Sequence, residues 1–127
     1  MFELSKQFRF DAAHTLREVH DPVPSRRIHG HSYRAEVVVR GAPDPRTGMI
    51  VDLGVLEAVM QSARDGLDHR FLDEVADLGP ATMENLAAWI WRALHPVCSG
   101  LIRVTVHRDS GGEACSYFGP DAPSHGG

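Results

Sequence analysis

Lysine is nearly missing from this 127-residue chain: of its 13 basic side chains, only Lys6 is not an arginine. Schiff-base chemistry has one amine to draw on and is disfavoured on numbers alone. Cysteine is as scarce. Cys98 and Cys115 do not form a Cys-x-x-Cys pair, and nothing in their placement suggests a secreted disulfide framework, although they could close one bridge. No basic run exceeds Arg26-Arg27, and a net charge of −4 with a pI near 6.0 argues against nucleic acid as a partner. No apolar run approaches the ~18 residues a membrane span needs. The N-terminus lacks the charged-then-apolar pattern of a signal peptide, so a cytoplasmic location is the default expectation. There is no His-Glu-x-x-His pattern, which removes that class of zinc hydrolase.

What is abundant is histidine, eight in all. His20, His95, His107 and His125 fall in loops or at the ends of predicted elements and read as solvated or capping residues. The informative ones are His29-Gly30-His31 and His14, which closes the stretch Phe10-Asp11-Ala12-Ala13-His14. Two histidines at i and i+2 of a strand project to the same side. A third imidazole from an adjacent strand completes a three-nitrogen pocket with an open fourth position, the arrangement of a catalytic rather than a structural zinc. By itself a His-x-His pair is weak, since exposed strands carry such pairs by chance. Here the flanking segments both alternate: Phe8-Arg9-Phe10-Asp11-Ala12 before His14, and Ser32 to Gly41 after His31.

The chain is one domain by length, with 43% apolar and 24% charged residues, and is near the size at which an active site borrows walls from a neighbouring subunit. The domain is expected over 1–119, with a frayed tail over 120–127. A strand from Phe2 to about Ala13 leads through a proline-bearing loop to a second strand ending near Gly41. After a turn over Ala42–Gly48, Met49-Ile50-Val51 reads as a short strand. Asp52 is placed to cap a helix whose apolar face is Leu53, Leu56, Val59, Met60, Ala63 and Leu67. Thr82 is placed to cap a second, with Glu84 in its first turn and Leu86, Trp89, Ile90, Ala93 and Leu94 facing the core until Pro96 stops it. Strands over Leu101–His107 and Ala114–Phe118 close the chain. The expected class is α+β: an antiparallel sheet of four to five strands with two helices on one face.

The motifs Phe10-x-Ala12-Ala13-His14, His29-Gly30-His31-Ser32-Tyr33, Gly48-Met49-Ile50-Val51-Asp52, Leu67-Asp68-His69-x-Phe71-Leu72 and Thr82-x-Glu84-Asn85-Leu86-Ala87-x-Trp89-Ile90 occur in this order. The set resembles the 6-pyruvoyltetrahydropterin synthase / 6-carboxytetrahydropterin synthase family of the tunnelling fold, over about residues 3 to 119. The resemblance implies a zinc (Zn2+) lyase acting on 7,8-dihydroneopterin triphosphate, of the type that feeds deazapurine (queuosine-type) biosynthesis. It implies His14, His29 and His31 as zinc ligands, Asp68-His69 as the acid/base dyad, and Thr82 and Glu84 in the pterin pocket. It also implies subunits joined into a barrel, usually a hexamer of two stacked rings with pockets between subunits. On local sequence alone, Asp68-His69 is a helix C-terminal histidine and Thr82 and Glu84 are capping residues.

Two positions depart from the family's pattern. A second pterin-anchoring glutamate is expected after Val106, where this chain reads His107-Arg108-Asp109; Asp109 is the nearest carboxylate and one methylene short. The family's catalytic cysteine, four residues before the His-Gly-His motif, is Ser25 here. A thiol becomes a thiolate beside cations, whereas a serine hydroxyl needs a partnered base. Three readings stay open: Glu18 or Asp21 takes the proton, His69 activates Ser25, or the standard reaction is lost, leaving a non-catalytic or altered-specificity pterin-binding homologue. Cys115 as a substitute base requires that the fold or a neighbouring subunit bring it in, and buried packing is its simpler role.

Overall fold

The computed structural model describes residues 1–16 and 27–120. Strand β1 (Phe2–His14) pairs antiparallel with β2 (His29–Gly41), from Phe2 opposite Gly41 to His14 opposite His29. Strand β3 (Leu101–Arg108) pairs with β2, with a register break at Val38/Val39, and β4 (Glu113–Tyr117) pairs with β3. The four strands lie in the order β1-β2-β3-β4. Strict alternation sends Phe10, Ala12, Tyr33, Ala35, Val37, Val104 and Val106 into the core. The other face carries Arg9, Arg34, Glu36, Arg103 and His107, with Arg103 paired to Glu36 at 3.3 Å.

Helix α1 (Leu53–Asp65) starts where Asp52 accepts from the backbone N–H groups of Gly54 and Val55 at 2.8 and 3.1 Å. Helix α2 (Met83–Leu94) starts where Thr82 Oγ1 accepts from Asn85 N–H at 3.1 Å. Both helices cover the apolar sheet face, α2 against β3 and β4 and α1 against β1 and α2. Leu56, Met60, Ala63, Leu86, Ala87, Ile90 and Leu94 fill the interface.

Two expectations are corrected. Met49-Ile50-Val51 is not a strand: Asp44 N–H donates to Met49 O and Gly48 N–H to Asp44 O, closing a tight loop that leaves no ladder partner for the run. Leu53, at the first helical position, is 49% exposed instead of facing the core. In α2, Trp89 packs partly buried against the core as expected, lying over Gly66 and donating its indole N–H to Ala76 O at 3.2 Å, and Trp91 is buried as well. A side chain at Gly66 would place its Cβ 2.9 Å from the Trp89 ring.

Between the helices the chain is laid along the outer edge of β1. His69 N–H donates to Asp11 O at 2.7 Å and Ala13 N–H to Arg70 O at 3.1 Å, and Ala13 forms a parallel bridge with Phe71. The Asp11 N–H donates to Asp68 Oδ1 at 2.9 Å. These bonds fix the Asp68–Phe71 segment beside the end of β1 that carries His14.

Candidate metal centre

The β1–β2 register alone assembles the three imidazoles. His14 and His29 are directly opposite, and His31 sits opposite Ala12, one step along the same face. Ring centroids are 4.6 Å (His14–His29), 4.9 Å (His14–His31) and 5.0 Å (His29–His31) apart. One ligand atom from each lies within 4.8 Å of the others. Beneath them Phe10 and Tyr33 stack at 4.9 Å, and Tyr33 meets His31 edge-on at 5.7 Å.

The outward hydrogen bonds set the tautomers. His14, 1% exposed, donates Nδ1–H to Ala81 O at 2.8 Å. His29 does the same to Arg27 O at 2.8 Å. Each ring thereby presents Nε2 as a lone pair, the pattern by which metal-ligating histidines are oriented from behind. His14 Nε2 is buried with no partner among the described residues. An orphaned buried acceptor is destabilising by about 1–3 kcal/mol unless something binds it. Three convergent imidazoles, one with an unpartnered buried nitrogen, fit a metal ion, and the nitrogen donors suit zinc.

Burial lowers the His14 pKa, with the hydrogen bond to Ala81 opposing and the positive charges of His29 and Arg108 adding. Burial first, then Arg108, His14 and His29, bring His31 down to about 4. These two rings are therefore unprotonated at neutral pH, as ligation requires.

An open cleft of about 510 Å³ runs from His31, Gly30 and Ser32 across Asp11, Ala12 and Ala13 to His69, Arg70 and Phe71. His69 thus faces the same space as His31, the triad member that lines the cleft. Its Nδ1 lies 2.9 Å from Asp68 Oδ2, its side chain is 80% exposed, and its φ of 57° is the left-handed conformation that non-glycine residues adopt rarely. Asp77 shares that conformation without any such contact, so the strain alone is no sign of function. Asp68 is held by three donors: Asp11 N–H, His69 and Arg64 at 3.1 Å. The Asp11 bond is the main cause of its lowered pKa, with His69 and Arg64 contributing.

Thr82 and Glu84 lie at the start of α2, and Ala81, which anchors His14, immediately precedes them. The helix N-terminus and the triad therefore share one end of a single chain. Glu84 is exposed, and its charge reaches Cys115 on β4. Asp109 is not with the triad. Arg34, on the opposite sheet face, grips it with two bonds of 3.0 Å, and Arg9 adds a contact at 3.6 Å. Ser25, Glu18 and Asp21 lie outside the described residues. Cys98 and Cys115 are free, and burial raises both thiol pKa values, Glu84 adding to the effect at Cys115.

The family model described as 6-pyruvoyl tetrahydropterin synthase matches residues 3–120. The chain belongs to that family. A relative from Synechocystis sp. named 6-carboxy-5,6,7,8-tetrahydropterin synthase is 36% identical over 126 residues, 94% of this chain and 95% of the relative. The human 6-pyruvoyl tetrahydrobiopterin synthase is 42% identical over 74 residues, 54% of this chain and 50% of the human one. The solved structure of Caenorhabditis elegans 6-pyruvoyl tetrahydropterin synthase superposes with a TM-score of 0.80 at 30% identity, covering 93% of this chain and 95% of that one.

Sequence reasoning missed Arg108 and Glu113, which adjoin the triad. Arg108 Nη1 is 3.3 Å from His31 Nε2, and Arg108 is ion-paired to Glu113. Alternation held the signal: Val104, Val106 and Arg108 share one face of β3, the face that the triad occupies on β1 and β2.

Substitution His29→Ala is expected to reduce bound zinc from one per chain to a small fraction, measured by metal analysis after gel filtration; full occupancy contradicts the assignment. A second expectation concerns the metal-free protein. The unfolded chain protonates His31 near 6.5, the folded chain only near 4. Between those values the unfolded state binds more protons, so stability falls as pH drops through this window. Urea midpoints of the apoprotein should show that fall, and His31→Asn should flatten it; identical slopes in the two proteins contradict the burial of a neutral ring.

Proposed function

We propose that this chain is a zinc-dependent lyase converting 7,8-dihydroneopterin triphosphate to a tetrahydropterin, of the 6-carboxytetrahydropterin synthase type. The observation that carries the reading is that His31 of the histidine triad and His69 of the Asp68–His69 pair line one cleft. The near full-length similarity to the Synechocystis relative supports the 6-carboxy branch, and with it a cytoplasmic role in deazapurine synthesis.

His14, His29 and His31 would hold the zinc ion, which when bound would supply a Lewis acid for the oxygens of the substrate side chain. The proton traffic falls to the protein. Asp68 accepts from His69 Nδ1, which fixes the tautomer, leaves Nε2 as the basic nitrogen and stabilises the ring when it is protonated. Because three donors hold Asp68, the carboxylate stays ionised and cannot swing away. Glu84 offers two coplanar acceptors for the amino and ring N–H groups of a pterin. Asp109 is engaged by Arg34 and Arg9, so within one chain the pterin anchor falls on Glu84.

One observation favours a second reading, a pterin-binding homologue of altered specificity: the base position is Ser25. Cys115 does not compensate, because its raised pKa keeps the thiol protonated. The decisive assay is incubation of the zinc-loaded protein with 7,8-dihydroneopterin triphosphate and identification of the pterin formed. The lyase reading predicts turnover, and Ser25→Cys should raise the rate by ~10²–10⁴, the usual contribution of a general base. If the native rate is already high, with Ser25→Ala harmless and Glu18→Ala or Asp21→Ala crippling, the base has moved within the loop. Binding without conversion in both native and Ser25→Cys proteins overturns the lyase reading in favour of the second.

The active form proposed is a homo-oligomer, a hexamer built of barrels. Among the described residues no strand pairs with the outer edge of β1 over Phe2–Phe8 or with the outer edge of β4. Open edges of this kind are normally covered. Exposed Phe2, Met49 and Leu53 rim an apolar groove of about 340 Å³ beside the β1 edge. No helix among the described residues is long and apolar enough to cross a membrane. Sedimentation at micromolar concentration should report a multimer, and a monomeric mass contradicts the barrel.

A further inference from the structure

Arg108 stands against His31, the one triad ring with no backbone anchor among the described residues. His14 and His29 are fixed from behind by Ala81 O and Arg27 O, whereas among the described residues the one bond to the His31 ring is that from Arg108 Nη1 to Nε2, at 3.3 Å. A guanidinium carries five N–H donors and no acceptor. Nη2 is taken by Glu113, which lies directly across the β3–β4 ladder. Nη1 meets the nitrogen that His31 would use for a metal, and Nε is buried with no partner among the described residues. The Tyr33 hydroxyl, close enough for Arg108 and Glu113 to influence its ionisation, is likewise buried and unpartnered.

A cross-strand ion pair accounts for Arg108 Nη2 and nothing more. It explains neither the approach to His31 nor the orphaned Nε. Once His31 Nε2 is committed to a divalent cation, Nη1 loses its acceptor as well, and a fixed positive charge is left beside the ion with Glu113 as its partial counterweight. Like charges at this range repel strongly in a partly buried site. The arrangement is relieved when an oxyanion lies between them, because a guanidinium presents parallel donors matched to a carboxylate or phosphate.

We propose that Arg108 is a specificity-determining residue that makes this site select a ligand carrying an oxyanion, carboxylate or phosphoryl, next to the metal. The inference rests on the reading of the triad as a metal centre and adds the ligand class. It also bears on the missing glutamate after Val106. A carboxylate on that strand would accept from N–H groups of a ligand, while an arginine donates. The polarity of the recognition is reversed on this wall of the site, and the favoured ligand presents acceptors there. Glu113 competes with that ligand for the same fork.

The test uses the full chain loaded with cobalt(II), whose visible absorption reports what approaches the metal. Acetate and inorganic phosphate are titrated separately into native, Arg108→Gln, Arg108→Lys and Glu113→Gln proteins. Native protein is expected to respond saturably to at least one anion, and the tighter of the two identifies a carboxylate or a phosphoryl ligand. Arg108→Gln should weaken that response about tenfold or more, the usual strength of a charge-assisted hydrogen bond, with cobalt stoichiometry unchanged. Arg108→Lys keeps the charge but not the fork and should fall between. Glu113→Gln, which frees Nη2, should tighten anion binding; a merely structural ion pair predicts no such gain. Equal anion affinity in native, Arg108→Gln and Glu113→Gln proteins, each with one cobalt bound, overturns the proposal and leaves the metal centre standing. Failure of the native protein to take up cobalt overturns both.

Discussion

Every residue of β1 is paired with one of β2, and the last pair of the ladder sets His14 against His29. The geometry of the site is a consequence of that register. Side chains alternate with a period of two, so a slip of one residue would turn Phe10, Ala12 and His14 away from the face that holds Tyr33, His31 and His29. The register is defended by burial: Phe10, Ala12, Tyr33, Ala35 and Val37 are all nearly or wholly inaccessible on the helix-covered face. The hydrophobic ladder that stabilises the sheet is the same ladder that gathers the imidazoles.

Packing also sets the chemistry of the rings. The stacked pair Phe10–Tyr33 forms an apolar floor, which together with Arg108 keeps His31 neutral. The start of α2 supplies the Ala81 carbonyl that selects the His14 tautomer. The second half of the site is attached through backbone, not side-chain packing. Asp68–Phe71 is stitched to the outer edge of β1 by reciprocal bonds between Asp11 and the Asp68-His69 dipeptide. A single strand thus carries His14 at its end and holds the Asp68–His69 pair against its flank. Movement of that strand would disturb both.

Much of this was legible in the sequence. Alternation located β1, β2 and β3, and the acidic and hydroxyl caps located both helices at Asp52 and Thr82. The His-x-His pair with His14 pointed to the cluster because two adjacent strands have few ways to arrange three histidines on one face. The remainder was hidden for identifiable reasons. Met49-Ile50-Val51 has the composition of a strand, but the Asp44 turn takes the Met49 carbonyl, and no strand pairs with the run among the described residues. Trp91 joins Trp89 against the core because α2 is flanked by the sheet and by α1 and buries more than one stripe. The ties of Asp68 to β1 join residues 57 positions apart, which no local pattern announces. Arg108 was overlooked because a charged residue at a strand end reads as solvated; only its alternation with Val104 and Val106 turns it toward the histidines.

The claim on which the rest stands is that His14, His29 and His31 hold one zinc ion. Crystals of the zinc-saturated protein, measured on either side of the zinc absorption edge, test it directly. The account predicts one anomalous peak per chain at bonding distance from His14 Nε2, His29 Nε2 and a ring nitrogen of His31. A peak on other residues, or none in zinc-saturated crystals, contradicts it.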